Sequence, residues 1–300
     1  MSTKTEFLVL CLLCVLSVRT TAAEQQRYND SQPHMGTIVS ITLYADSPEN
    51  ARQAFAAAFR RVAQLDQILS DYNPQSELSR ICTLNAPLSA DLLTVVHAAQ
   101  KLSAETDGTF DITVGPLSRL WRSARKVRKL PDEAELKDAL ARSGYQKLKV
   151  KNGVAHCAVP GMQLDAGGIG KGYAGDEALK TIRQQGVTRA LIAVSGDIVA
   201  GDPPPDQPGW RVKIPGEIIH LSNAAVSTSG DEFQYLEVDG VRYSHIFDPR
   251  TGRALQNSRT VAVIAKTGID ADSFTKAVAV GGEKMAERLR KKPDVRIIMN

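Results

Sequence analysis

A chain of 300 residues with 43% apolar side chains can bury a substantial core, which excludes a small domain held together by staples alone. Lysine and arginine number 37 against 33 aspartate and glutamate, for a net charge of +4. The two signs are interspersed, so no nucleic acid partner is expected.

The chain opens with an export pattern. Lys4 precedes an apolar run over residues 7–18, and Thr21, Ala22 and Ala23 are the small residues a signal peptidase reads. The run is shorter than the ~20 residues of a spanning helix. Residues 1–23 therefore read as a signal peptide, and 24–300 as an exported, periplasmic protein. Retention of the segment would instead leave a tether to the inner membrane. Cleavage removes Cys11 and Cys14. Cys82 and Cys157 remain, free to pair in an oxidising compartment or to serve as small buried apolar residues. The five histidines lack the spacing of a zinc helix.

Residues 36–44 alternate apolar and polar side chains with many β-branched ones, which predicts a strand. Ser47 and Pro48 then open a helix with Phe55, Phe59, Val62, Leu65 and Leu69 on one face. Residues 71–85 read as a loop, and Ser89 caps a second helix reaching about Glu105. An apolar stretch over 109–121 is interrupted by Gly115-Pro116. Residues 119–130 carry Arg119, Arg122, Arg125, Lys126, Arg128 and Lys129, which a solvated helix explains better than a phosphate- or partner-binding patch.

A short helix over 131–143 is followed by a strand pair around Asn152-Gly153. Residues 164–201 read as strand, glycine-rich turn, helix, strand and turn. Strands resume at Trp210, and a hairpin turns at Asp239-Gly240. A strand over 260–265, helices from about Asp272 and Glu283, and a strand over 295–299 complete the order. This alternation predicts an α/β fold with a mixed sheet.

Chemistry concentrates in four polar clusters. Gly167, Gly168, Gly170 and Lys171 lie where a strand passes into a helix, so a ligand could reach backbone N–H groups there. The spacing fits neither a dinucleotide fingerprint nor a Walker loop, and tight packing explains the glycines equally well. Ser195-Gly196-Asp197 follows a strand, and the 244–252 segment follows the hairpin; both offer polar groups at strand ends. His245 with Asp248 is also a common turn pattern. Asp270, Asp272 and Thr275 supply hard oxygens suited to Mg²⁺, although such residues also cap helices.

In order along the chain stand Met35-Gly36-Thr37, Tyr72 with Ser76-Glu77-Leu78 and Asn85, Thr109-Phe110-Asp111 before Pro116-Leu117, and Asp165-Ala166-Gly167-Gly168-Ile169-Gly170-Lys171-Gly172-Tyr173. Ser195-Gly196-Asp197, Ser227-Thr228-Ser229-Gly230-Asp231, His245-Ile246-Phe247-Asp248-Pro249-Arg250-Thr251-Gly252 and the segment 272–277 follow. Together these eight motifs resemble the ApbE flavin transferases over about four-fifths of the chain.

The resemblance implies an α/β, T-fold-like catalytic domain over 24–300 that moves the FMN half of FAD onto a Thr or Ser hydroxyl of an exported or membrane-associated flavoprotein, releasing AMP. FAD pyrophosphatase activity and FAD binding without turnover are the alternatives. By resemblance, His245 would accept the hydroxyl proton with Asp248 beside it. Met35 and Tyr72 would contact the flavin, and Thr109, Phe110 and Asp111 would line its pocket. Asp165 and Lys171 would engage the nucleotide, and Asp272, Thr275 and a carbonyl near Gly168 would hold Mg²⁺.

Two departures stand out. Where the family often has Thr four residues after the helix Asp, this chain has Lys276, with Thr275 one residue earlier and so turned by about 100°. Ser195 stands where glycine is frequent.

Overall fold

The structure, a computed structural model, describes residues 25–230, 235–256 and 260–300. The export segment and Asp231 lie outside the described residues. Strands β1 (Gln26–His34) and β2 (Thr37–Ala45) form a hairpin through Met35-Gly36. Both turn residues have positive φ, 53° and 70°, the two-residue geometry that matches strand twist. β1 was not apparent in the sequence because it is polar on both faces and gains its structure by pairing along the sheet edge. β2 buries Val39, Ile41, Leu43 and Ala45 on one side, as alternation requires.

Helix α1 (Pro48–Leu69) starts at Ser47, whose hydroxyl accepts the Asn50 N–H, and buries Phe55, Phe59, Val62 and Leu65. A short α2 (Glu77–Arg80) lies inside the expected loop, and α3 (Ala90–Glu105) keeps the expected bounds. Two helices follow, α4 (Gly115–Val127) and α5 (Glu133–Ala141), the second begun by a reciprocal Asp132–Glu135 capping box. The hairpin β3 (Leu148–Lys151) and β4 (Val154–Cys157) turns at Asn152-Gly153 as expected. Cys82 and Cys157 form a disulfide with Cα atoms 5.5 Å apart, which decides between the two roles open to them.

No strand forms at residue 164; only an isolated bridge joins Gln163 to Val114. Helix α6 (Gly170–Gln184) leads into the hairpin β5 (Ala190–Val194) and β6 (Asp197–Ala200). The hairpin β7 (Trp210–Ile214) and β8 (Glu217–Leu221) precedes β9 (Ala224–Ser229). Then come β10 (Tyr235–Val238), β11 (Val241–Ser244) and β12 (Val261–Ala265). The last elements are α7 (Gly268–Leu289) and β13 (Arg296–Met299). Gly282, at φ 63°, breaks α7 where the sequence predicts a second helix.

Seven strands join in the order β1-β2-β5-β6-β9-β12-β13. The α/β architecture is as expected, but every pairing in this sheet is antiparallel rather than mixed. Helices α1, α6 and α7 cover one face, and Trp210, Val212, Ile219 and Leu221 of the β7–β8 hairpin cover the other. No helix among the described residues is long and apolar enough to cross a membrane.

Glycine decides how closely α6 meets α7. A Cβ on Gly172 would lie 2.0 Å from the Gly268 carbonyl oxygen, so only glycine admits this approach. The contact carries the Gly172 N–H to within 3.2 Å of Asp272 Oδ2. Part of the glycine-rich motif thus serves packing, while Gly167 and Gly168 face the cavity described next.

Candidate active site

A cavity of about 670 Å³ opens where the start of α6, the turn between β5 and β6, the end of β9, α4 and the 245–249 segment converge. Its volume is within the range of small-molecule sites. Tyr72, Thr109, Phe110, Asp111, Asp165, Gly168, Lys171 and His245, all singled out from the sequence, line it.

The innermost wall holds a cluster of charges. Asp272 is fully buried, in the second turn of α7, because Thr267 rather than a later residue caps that helix. Lys276 Nζ donates to Asp272 Oδ1 at 3.2 Å and to Thr275 Oγ1 at 3.1 Å. Lys171 Nζ lies 3.9 Å from Asp272 Oδ2 and 3.4 Å from Asp197 Oδ2, and it also donates to the Gly167 carbonyl at 2.8 Å. Burial pulls the Lys171 pKa down, but the Asp272 and Asp197 carboxylates outweigh it and hold the ammonium charged well above its usual range. Burial pushes the Asp197 carboxyl up and Asp272 adds to this, against the two lysines and a hydrogen bond from Ser227.

These residues do not fit the Mg²⁺ site implied by the resemblance. Each oxygen of Asp272 faces an ammonium group, and Thr275 Oγ1 already receives a Lys276 N–H while donating to the Asp272 carbonyl at 2.6 Å. A dication placed on the same oxygens would meet both positive charges at short range. Neither Asp272 nor Thr275 lines the cavity; Lys276 does.

A second wall lies nearer solvent. Arg122 pairs with Asp71 and donates to Asp165 Oδ2 at 2.9 Å, and its guanidinium stands 4.3 Å from the centre of the Tyr72 ring. Burial raises the Asp71 pKa and the nearby Asp165 adds to it, while Arg122 opposes both. Arg125 shares this wall; burial and the like charge of Arg122 lower its pKa. The basic run thus divides. Arg119, Lys126, Arg128 and Lys129 are solvated as expected, but Arg122 and Arg125 form part of the site. Their spacing of three, on the face that also buries Trp121 and Ala124, is the signal that separates them.

The remaining expected residues divide as well. Thr109 is buried, and its Oγ1 has no hydrogen-bond partner among the described residues, a group suited to a bound ligand. Asp111 lines the cavity, but its carboxylate accepts from Thr113 N, Thr113 Oγ1 and Tyr145 N, each at 2.7 Å, so it builds the wall. Met35 is not in the wall. Its N–H donates to Asp66 and its side chain packs into the core behind Gly170. Asp248 is not in the wall either, because its carboxylate binds the N–H and guanidinium of Arg250 and shapes the turn. That turn is anchored where Trp121 Nε1 donates to the Gly252 carbonyl at 2.8 Å, and it carries His245 into the cavity. Ser195 has φ 58°, a left-handed conformation that favours glycine.

The fold is that of flavin transferases. The structure is similar to the flavin transferase ApbE from Vibrio cholerae, with a TM-score of 0.82 and 29% identity, covering 92% of this chain and 93% of that one. In sequence the chain is 29% identical to the FAD:protein FMN transferase of Salmonella typhimurium, over 97% of this chain and 89% of that protein. It is 32% identical to that of Escherichia coli, over 75% and 70% respectively. The ApbE family model matches residues 35–299. The chain belongs to the ApbE family and is an enzyme.

Proposed function

We propose that this enzyme transfers the FMN half of FAD to a threonine or serine hydroxyl of a partner flavoprotein and releases AMP. The observation that carries the reading is a single cavity that combines His245, the ammonium groups of Lys171 and Lys276, and the unpartnered Thr109 hydroxyl. The acceptor oxygen bonds to the flavin-side phosphorus as the bond from that phosphorus to the bridging oxygen breaks, and AMP departs with the bridging oxygen. His245 accepts the hydroxyl proton. The lysines offset the charge on the phosphates, and Phe110, Trp121 and Tyr72 offer aromatic surface to the flavin. The lysines occupy the oxygens that Mg²⁺ would need.

We place the reaction outside the cytoplasm, with an exported or membrane-associated acceptor. The export pattern of residues 1–23 and the Cys82–Cys157 disulfide support this location. The test is incubation of the full chain with FAD and candidate exported proteins, with mass analysis of the protein and assay of AMP. An FMN adduct on Thr or Ser with equal AMP is the expected result. Free FMN and AMP without an adduct would assign hydrolysis, and no AMP at all would overturn the reading.

A further inference from the structure

We infer that Lys276 is a built-in cation: its ammonium takes the place of a divalent metal beside the pyrophosphate, and the enzyme works without one. The inference rests on the transferase reading above for its substrate, but its geometry belongs to this chain. Lys276 Nζ lies between Asp272 Oδ1 and Thr275 Oγ1, at 3.2 and 3.1 Å, on the oxygens a metal would need. Its stem is held in place by the cavity wall. A Cβ on Gly168 would stand 3.0 Å from Lys276 Cγ and 3.5 Å from Phe110 Cε2, so the glycine leaves the space through which the lysine passes.

The charges agree. Asp197 and Asp272 carry two nominal negative charges, and Lys171 and Lys276 carry two positive ones within hydrogen-bond or ion-pair range. The cluster is neutral as it stands. A dication added to it would leave two excess positive charges in a buried wall, at a large cost in a medium of low dielectric. With threonine at 276 the same cluster would carry one excess negative charge and attract a cation.

Lys276 also reaches the cavity surface, where an ammonium can donate to a phosphate oxygen. In the transfer step the acceptor oxygen–phosphorus bond forms and the bond to the bridging oxygen breaks. The hydroxyl proton passes to His245, and AMP leaves with the electron pair of the broken bond. Lys276 neither gains nor loses a proton; it stabilises charge that grows on the leaving phosphate.

The test uses the full chain, wild type and Lys276→Thr, with Mn²⁺ as the metal probe. Electron paramagnetic resonance of free Mn²⁺, with FAD alone as the control, reports binding separately from turnover. Wild type with FAD should bind no Mn²⁺ beyond the control, and its turnover should be unchanged in excess EDTA. Lys276→Thr should bind one Mn²⁺ per chain, lose about 10²–10³-fold in turnover in EDTA, and regain it with Mg²⁺. Stoichiometric Mn²⁺ binding by wild type, or loss of its turnover in EDTA, would overturn the inference. If Lys276→Thr does not fold, the two wild-type measurements decide alone. If wild type shows no turnover of FAD under any condition, the transferase reading fails, and Mn²⁺ binding still decides the metal question.

Discussion

Asp272 and Asp176 both serve the seam where α6 meets α7, and the protein treats them in opposite ways. Asp272 is fully buried yet faces two ammonium groups and the Gly172 N–H. Asp176 is partly buried and caps the start of α7, accepting from Gly268 N at 2.7 Å and Ile269 N at 2.9 Å. Burial pushes the Asp176 pKa up to about 6; the two N–H groups resist the shift, and the neighbouring Asp270 and Glu177 add to it. Backbone donors alone do not offset the loss of water at Asp176, whereas at Asp272 whole positive charges are supplied. The difference separates a carboxylate that organises helices from one that organises charge for chemistry.

The largest effect should come from breaking the compensated end. Asp272→Ala leaves Lys171 and Lys276 with Asp197 alone to offset them, and losing one member of a buried ion pair costs about 3–5 kcal/mol. Denaturant unfolding should register that loss, and turnover of FAD should vanish. A variant with wild-type stability would show that the lysines relax into solvent and that Asp272 does not organise them.

His245 sharpens the contrast by separating proton transfer from charge compensation, since it lines the cavity from the segment after β11 and no ion pair of the Asp272 cluster among the described residues includes it. His245→Ala should cut FMN transfer by roughly 10²–10⁴ while FAD affinity and thermal stability stay near wild type. Transfer at the wild-type rate would make the imidazole structural.

Asp176 provides the pH signature of the uncompensated end. Its folded pKa, about 6, lies above the ordinary 3.8, so the native state holds the extra proton between those values. Stability contributed at this site is therefore present at low pH and lost as pH rises from about 4 to 6, by about 3 kcal/mol at most. Asp176→Asn keeps one carbonyl acceptor for α7 and should flatten that slope, measured by denaturant unfolding from pH 4 to 7. Parallel pH profiles for variant and wild type would refute the assignment.

The smallest effect is expected at the rim. Tyr72 is 75% exposed and stacks with Arg122. Tyr72→Ala should weaken FAD binding by about 1 kcal/mol, roughly fivefold, with stability unaffected. An unchanged dissociation constant would remove the ring from the site.

Much of the local structure was legible in the sequence. Ser47 and Ser89 start helices where capping chemistry requires, and the turns at Asn152-Gly153 and Asp239-Gly240 form where short-range backbone preference dictates. The eight motifs, read in order, named the family, and most of the residues assigned to the cavity do line it. The caps and turns depend on neighbours within a few positions, which a sequence displays directly, whereas the cavity residues were reached through the resemblance to the family.

Other features were decided by tertiary structure. Strand β1 exists because β2 offers it an open edge, and the antiparallel order of the sheet follows from which strands meet. Arg122 joined the site because Asp71 and Asp165, 51 and 43 residues away, come within reach of its guanidinium. Met35 and Asp248 left it because nearer partners, Asp66 and Arg250, hold them. Lys276 was visible in the sequence as a departure, but its role depends on distance. The close approach of α6 to α7, permitted by Gly172, together with the start of β6, gathers Lys171, Asp197, Asp272 and Lys276 into one neutral cluster. Charge compensation falls off with separation in space, and separation along the chain does not report it.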